Sequence, residues 1–123
     1  MKTAVIILGH GSRSAGSDET VKRIAAEIKM SGICEIAGHA FLQYVKPDAQ
    51  EALEQCVRQN AEQIIIVPFF MQSGAHVTKD IPALLEQAKK QHPGIDIQVT
   101  DYVGAHPLMK DIVLSLIGSV RLM

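Results

Sequence analysis

Two histidines follow predicted strands in a pattern that suits metal binding or proton transfer. His10 lies between two glycines directly after the apolar run 5–8, and His76 lies in the loop that follows the apolar run 64–67. A neutral imidazole binds divalent transition metals and accepts a proton near neutral pH. Glycines beside a histidine allow a sharp turn and a close approach of main chain to a ligand. The alternative is that each is a structural loop histidine.

The elements that position these histidines alternate between strands and helices. Continuous Val, Ile and Leu runs are typical of parallel strands that are covered on both faces. The intervening segments repeat apolar residues at helical spacing, as in Val21, Ile24, Ala25 and Ile28. Strands are predicted at 3–8, 35–43, 63–70 and 96–103. The last helix is predicted to carry an apolar stripe made of Leu108, Ile112, Val113, Leu116, Ile117 and Val120.

This alternation predicts an α/β fold of the flavodoxin-like type, a three-layer αβα sandwich in one domain spanning residues 1–123. Right-handed crossovers give a four-stranded parallel sheet in the order 2-1-3-4. Ligands bind such sheets at the carboxyl ends of the strands, where the strand order reverses. That point lies between strands one and three, so we expect His10 and His76 to converge there.

Composition excludes several function classes. The net charge is −1 and tryptophan is absent, which argues against binding to nucleic acid or to an anionic membrane. The longest apolar run, 64–71, is interrupted by Pro68 and is too short to span a bilayer. The amino-terminal apolar run meets Gly9 without a cleavage pattern, so we do not expect a signal peptide. Cys34 and Cys56 lack metal-type spacing and are interpreted as free thiols of a cytoplasmic protein.

The sequence gives weaker grounds for assigning a functional role to the other three histidines. His39 lies within strand two and is expected in the core or an interface, and His92 ends a helix. His106 precedes a helix start at the same sheet end as His10, where a site role is a minor alternative. The segment GHGSR at 9–13 also allows a phosphate-handling enzyme with His10 as nucleophile, but it lacks the glycine and lysine spacing of known phosphate loops.

Four segments in order resemble the class II tetrapyrrole chelatases, most closely the short sirohydrochlorin chelatases of the CbiX and SirB type. The resemblance covers nearly the whole chain. The segments are GHGSR at 9–13, AFLQYVKPD at 40–48, IIIVPFFMQSGAHVTKDIP at 64–82 and GAHP at 104–107.

The resemblance implies insertion of a divalent metal into sirohydrochlorin without ATP and without a permanently bound cofactor. We expect Co²⁺ as the metal substrate, with Fe²⁺ or Ni²⁺ as alternatives. His10 matches the histidine that binds metal and accepts the pyrrole protons, and His76 matches the second metal-binding histidine. The positions expected to contact the substrate are Ser12, Arg13, Gln43, Lys46, Met71, Gln72, Ser73, Gly74 and Ala75.

The residue types agree with that chemistry. Sirohydrochlorin carries many carboxylates, which Arg13 and Lys46 can pair with, whereas Lys79 is interpreted as a solvated surface charge. Gln43 departs from the family pattern, since many relatives carry glutamate there and an amide neither acts as a base nor carries charge. A non-catalytic carrier of metal or tetrapyrrole is therefore a second hypothesis.

Longer relatives carry two such domains facing across a cleft, whereas this chain has one. The resemblance therefore implies a homodimer with isologous contacts that rebuilds the cleft.

Overall fold

The fold is seen in a computed structural model of the chain, which describes residues 1–13 and 18–121. The sequence offers Ser17 or Asp18 as the cap of the first helix. Ser17 lies outside the described residues, and Asp18 occupies the cap position without a side-chain hydrogen bond to the helix. Four strands and four α-helices alternate in the order β1 (Thr3–Gly9), α1 (Glu19–Ser31), β2 (Ile36–Phe41), α2 (Ala49–Arg58), β3 (Gln63–Pro68), α3 (Ile81–Gln91), β4 (Asp96–Val99) and α4 (Met109–Arg121). A π-helical turn (His76–Asp80) precedes α3, and a 3₁₀ turn (Val103–Ala105) precedes α4.

The four strands form one parallel sheet in the order β2-β1-β3-β4. The predicted α/β fold and strand order are thus confirmed. The central strand β1 is covered on both faces, which explains its unbroken apolar run. Ile6 and Leu8 pack with α2 and α3 on one face, and Ile7 packs with Val21 and Ala25 of α1 on the other.

Three strands end earlier than predicted. β2 ends at Phe41 instead of residue 43, and β3 ends at Pro68 instead of residue 70, because proline has no N–H for the ladder. β4 ends at Val99 instead of residue 103. The segment Lys46-Pro47-Asp48 favours a helix start with proline in the first turn. In the structure Pro47 precedes α2 instead, because Asp48 caps this helix in a capping box with Glu51.

The last helix is the largest departure from the sequence prediction. Its apolar stripe exists, but α4 contains no buried residue and makes little contact with the sheet or the other described helices. The structure therefore leaves this apolar stripe uncovered in the single chain. Helical spacing identifies an apolar face, but it does not identify the surface that covers that face.

Hydrogen bonds continue past the strand ends at the carboxyl edge of the sheet. The Leu42 N–H donates to the Gly9 carbonyl at 3.1 Å, and the Gln43 N–H donates to the His10 carbonyl at 3.2 Å. Gly11 has a φ of 90°, and a Cβ there would collide with the Gln43 carbonyl. The loop after β1 and the turn after β2 are therefore held in close contact, which only glycine permits at position 11.

Both cysteines are buried free thiols, as the sequence suggested. Burial raises the pKa of the Cys56 thiol to about 11, and burial likewise raises the pKa of Cys34. Both side chains therefore act as small apolar residues at neutral pH, and neither has the reactive thiolate of a catalytic cysteine.

The contact at Gly11 predicts a strong effect of a single methyl group. Gly11→Ala is expected to destabilise the protein by about 1–3 kcal/mol, because the backbone conformation is unfavourable for alanine and the methyl group displaces the Gln43 turn. Urea unfolding measures the change. Gly38→Ala is the matched control, since a Cβ at Gly38 in β2 meets nothing within 4 Å. Equal stability of the two variants would contradict the role assigned to Gly11.

The raised pKa of Cys56 predicts a loss of stability in alkaline solution. Above its usual pKa of 9.0 the thiol ionises in the unfolded chain, but in the folded protein it stays protonated up to about pH 11. The unfolded state then binds fewer protons, so the free energy of unfolding falls between pH 9 and pH 11 by about 2–3 kcal/mol from this group. Urea unfolding of wild type and Cys56→Ala across this range isolates the contribution, because the variant lacks that part of the pH dependence.

Candidate functional site

His10 lies at the carboxyl edge of the sheet with its side chain exposed to solvent. It follows β1 directly, and the Gln43 Nε2 atom lies 3.2 Å from its Nε2 and 3.5 Å from its Nδ1. On another side the Phe70 ring meets the imidazole edge-on, with 6.2 Å between ring centroids. The imidazole is thus oriented by an amide and an aromatic ring, and it is open to a ligand.

Gln43 is a partner that suits both protonation states of His10. Its N–H₂ group donates a hydrogen bond to an unprotonated ring nitrogen, and its carbonyl, after a flip of the amide, accepts one from a protonated nitrogen. The amide carries no net charge, so it forms no ion pair with the imidazole. A histidine that takes up and releases protons keeps a hydrogen-bond partner throughout such a cycle.

Tyr44 next to this pair adopts a backbone conformation that non-glycine residues rarely use. Its φ is 64°, and the Val45 N–H donates to the Gln43 carbonyl at 2.8 Å, which closes a tight turn around it. The exposed phenol ring carries the Arg13 guanidinium 4.4 Å from its centroid. This stacking holds the guanidinium on the Tyr44 ring. Sequence reasoning missed Tyr44, because no motif distinguishes it from a surface aromatic.

The loop after β3 forms the other side of the site. Residues Met71–Ala75 are all exposed, and Gly74 accepts hydrogen bonds at its carbonyl from the Val77 and Thr78 N–H groups. These bonds build the π-helical turn that His76 opens. The prediction that the His76 side chain joins His10 lies outside what the structure describes. Phe70, which directly precedes this loop, contacts the His10 ring edge-on.

A metal at this edge of the sheet would find few protein donors among the described side chains. Among the described residues, no group of three or more His, Cys, Asp and Glu side chains is placed to hold a metal ion. Structural metal sites are closed by four protein ligands, whereas an open site leaves coordination positions for a substrate. An exposed imidazole such as that of His10 therefore fits a transiently bound metal better than a stored one.

The two lysines considered for substrate binding differ in their surroundings. The Lys46 ammonium lies 3.2 Å from Glu51 and 3.6 Å from Asp48, and the hydrogen bond and charge of Glu51 raise its pKa. The structure therefore places Lys46 in the network that caps α2. Lys79 is exposed at the π-helical turn, in agreement with the surface role expected for it. Ser12 lies half-buried beside Arg13.

The other three histidines lie in surroundings that suit a structural role. His39 is half-buried with its ring 5.7 Å from that of Phe41, and burial lowers its pKa. The Nδ1 atom of His106 accepts the Leu108 N–H at 3.0 Å and so supports the start of α4. His92 occupies the carboxyl-terminal cap of α3. These positions agree with the structural interpretations favoured by the sequence.

The space around His10 is shallow and open. A groove of about 290 Å³ beside it is lined by the loop after β1, by the start of α1 and by Phe69. Such a groove accommodates a ligand substituent and leaves the body of a large, flat ligand on the open edge of the sheet. No helix in the described ranges has the length and apolar character needed to cross a membrane.

Comparison with known proteins agrees with this arrangement. The CbiX family model matches residues 4–120. The chloroplastic sirohydrochlorin ferrochelatase of Arabidopsis thaliana is 32% identical over 89% of this chain and 48% of its own length. The sirohydrochlorin cobaltochelatase of Methanococcoides burtonii is 33% identical over 91% of this chain and 92% of its own length. The crystal structure of a putative cobalamin biosynthesis CbiX protein from Marinobacter aquaeolei superposes with a TM-score of 0.81 at 26% identity, covering 95% of both chains.

Relative length differs widely among the matches. This chain spans 48% of the plant protein and 62% of the cobaltochelatase of Methanocaldococcus jannaschii. The family model nevertheless covers almost every residue and includes the loops that carry His10, Gln43 and His76. The chain belongs to the CbiX family.

Proposed function

We propose that this protein is a sirohydrochlorin chelatase that inserts a divalent metal into the macrocycle without ATP. The observation that carries the proposal is the exposed His10 imidazole, oriented by Gln43 at the carboxyl edge of the sheet. Family membership and the names of the relatives support sirohydrochlorin as the substrate. They also favour this reaction over a phosphate-handling enzyme.

The reaction requires two events that an imidazole can serve. Two pyrrole N–H protons must leave the macrocycle, and the metal must exchange its ligands for the four pyrrole nitrogens. We propose that His10 binds the metal and accepts pyrrole protons, and that His76 is the second metal ligand. Holding metal and macrocycle together at an open site makes the insertion effectively unimolecular. No step in this scheme needs a nucleotide.

We propose that the cations near the site recognise the substrate's carboxylates. Arg13 stacks on Tyr44 next to His10, so its guanidinium can pair with a carboxylate at the edge of a macrocycle. Gln43, Ser12 and the exposed loop Met71–Ala75 complete the proposed contact surface. Lys46 belongs to it only if the substrate draws its ammonium away from Glu51.

Cobalt is the proposed metal, with iron and nickel as alternatives. Relatives at nearly equal identity are named for iron and for cobalt. Nitrogen ligands bind first-row divalent metals in the Irving–Williams order, so metal supply and geometry decide between them. We further propose a cytoplasmic location, which the two free thiols support, and a homodimeric assembly.

A carrier of metal or tetrapyrrole is the second candidate function. The observation that favours it is the uncharged amide of Gln43 beside His10, which cannot act as a base. A carrier binds its ligand stoichiometrically and releases no new metal complex, so turnover separates the two candidates.

The histidine variants test the proposed reaction. His10→Ala is expected to slow metal insertion by about 10²–10⁴-fold, because a positioned general base contributes that much. His76→Ala is expected to weaken metal use. An anaerobic absorbance time course with sirohydrochlorin and Co²⁺, Fe²⁺ or Ni²⁺ measures the rate and ranks the metals. His92→Ala is the matched control, since His92 lies at the distant end of α3.

Full activity of both site variants would remove the roles assigned to the two histidines. If wild type shifts the sirohydrochlorin spectrum but does not accelerate insertion of any metal, the chelatase proposal fails and the carrier takes its place.

Gln43→Glu tests the partner of His10. A carboxylate at this distance stabilises the imidazolium, so the histidine loses its proton only at higher pH. Because the unprotonated form accepts pyrrole protons, the acidic limb of the pH–rate profile is expected to move to higher pH. Gln87→Glu, on the exposed side of α3, adds the same charge away from the site and should leave the profile unchanged. A profile of Gln43→Glu that matches wild type would contradict the pairing.

A further inference from the structure

Two non-glycine residues in the described ranges have a positive φ, and their side chains differ in how well they tolerate it. Asn60 follows α2 with a φ of 67°, and asparagine adopts this backbone region comparatively easily. Tyr44 has a φ of 64° with a bulky aromatic side chain, for which the same region is unfavourable. Strain of this kind persists only where the surroundings enforce it, and it is concentrated at ligand-binding sites.

The Tyr44 ring is not placed by packing in the core. The residue is 61% exposed, and its ring carries the Arg13 guanidinium, whose central carbon lies 4.4 Å from the ring centroid. A cation over an aromatic face is attracted by the negative face of the π system. The contact joins the loop after β1 to the turn after β2, so the strained turn places an aromatic face under a cation.

The Arg13 guanidinium is open to an acidic ligand. The residue is exposed, and none of the ion pairs between described residues involves it. Lys46 differs, because its ammonium lies 3.2 Å from Glu51. The cation–π contact leaves the guanidinium N–H groups for an acceptor, and their planar fork matches the two oxygens of one carboxylate.

Both loops of the Arg13–Tyr44 pair also hold His10. Gln43, directly before Tyr44, has its amide nitrogen 3.2 Å from the imidazole, and its N–H donates to the His10 carbonyl. Arg13 follows His10 by three residues, so their Cα atoms are separated by at most about 11 Å of extended chain. The pair is therefore built on the same two segments that position the imidazole.

We propose that Tyr44 is a positioning residue for substrate recognition, whose ring holds the Arg13 guanidinium ready for one carboxylate at the rim of a carboxylate-rich tetrapyrrole. The assignment rests on the proposed function, which supplies the substrate class and places the centre of the macrocycle at His10. An arginine that is ordered only on binding loses rotamer freedom, at a cost of about 2- to 10-fold in affinity. A guanidinium that is already stacked on Tyr44 has lost much of that freedom before the substrate arrives.

Binding of metal-free sirohydrochlorin tests this role apart from the reaction. Tyr44→Asn removes the ring and gives the turn a residue that tolerates positive φ, so urea unfolding is expected to show no loss of stability. Its dissociation constant, measured by titration of the tetrapyrrole absorbance, is expected to rise about 2- to 10-fold. Tyr44→Phe keeps the aromatic face and is expected to bind as wild type does. Equal affinity of wild type and Tyr44→Asn, or a weakened Tyr44→Phe, would overturn the role.

A double variant shows whether the ring acts through Arg13. In an Arg13→Gln background, Tyr44→Asn is expected to cause no further loss of affinity, because no guanidinium is left to position. The same loss as in wild type would mean that the ring contacts the substrate itself, which would overturn the proposal. Arg58→Gln is the matched control for the lost charge, since this exposed arginine ends α2 before the start of β3 and its loss should leave the affinity unchanged.

The stack itself can be measured without substrate. The ring current of Tyr44 is expected to shift the Arg13 side-chain NMR signals upfield in wild type and in Tyr44→Phe, and Tyr44→Asn is expected to abolish the shift. Signals of Arg13 that are the same in wild type and in Tyr44→Asn would overturn the stack.

Steady-state metalation separates positioning from chemistry. Tyr44→Asn is expected to raise KM by about the same factor as the dissociation constant and to leave kcat unchanged, because a contact at the rim binds ground state and transition state alike. A lower kcat with an unchanged KM would overturn the role. Wild type that binds sirohydrochlorin but inserts no metal would remove the proposed chelatase reaction and leave the role of Tyr44 in binding standing, whereas wild type that does not bind sirohydrochlorin would overturn both.

Discussion

The structure depends on the way the hydrogen-bond ladder of β1 continues beyond the end of the strand. The carbonyl groups of Leu8, Gly9 and His10 accept bonds from Phe69, Leu42 and Gln43, so both neighbouring segments stay attached after their own strands have ended. Each bond alone contributes only about 1 kcal/mol, but together they restrict where the loops can go. His10 and Gln43 are therefore positioned mainly by backbone geometry, and their side chains remain available for chemistry.

Among the described residues, the edge of the sheet around His10 brings together no group of three or more metal-ligating side chains. The proposed delivery of a metal to a macrocycle fits such an arrangement, because a protein that held the metal with four ligands would compete with the product. In that proposal His10 supplies one nitrogen, and its amide and aromatic neighbours orient the ring without adding charge. The Arg13 guanidinium stacks on the exposed Tyr44 ring.

The parts of the molecule that the sequence predicts depend on local patterns, whereas the parts that it does not predict depend on contacts between distant segments. The strand order and the place of His10 followed from apolar periodicity and right-handed crossovers, which are local or general constraints. The lengths of β2 and β4 and the turn at Tyr44 did not, because they depend on hydrogen bonds between segments distant in sequence. The ammonium of Lys46 is a similar case, since its proximity to Glu51 arises only after α2 is capped. Whether His76 meets His10 stays a prediction.

In α4 the sequence pattern and the structure of the single chain differ most clearly. Its spacing has the pattern of a buried helix, yet the fold of one chain leaves the face open. Burying each large apolar side chain contributes about 1.5–3 kcal/mol, so a row of such residues is costly to leave in water. The 3₁₀ turn before α4 is nevertheless tied to the site, because the Gly104 N–H donates to the Phe70 carbonyl and the Phe70 ring contacts His10.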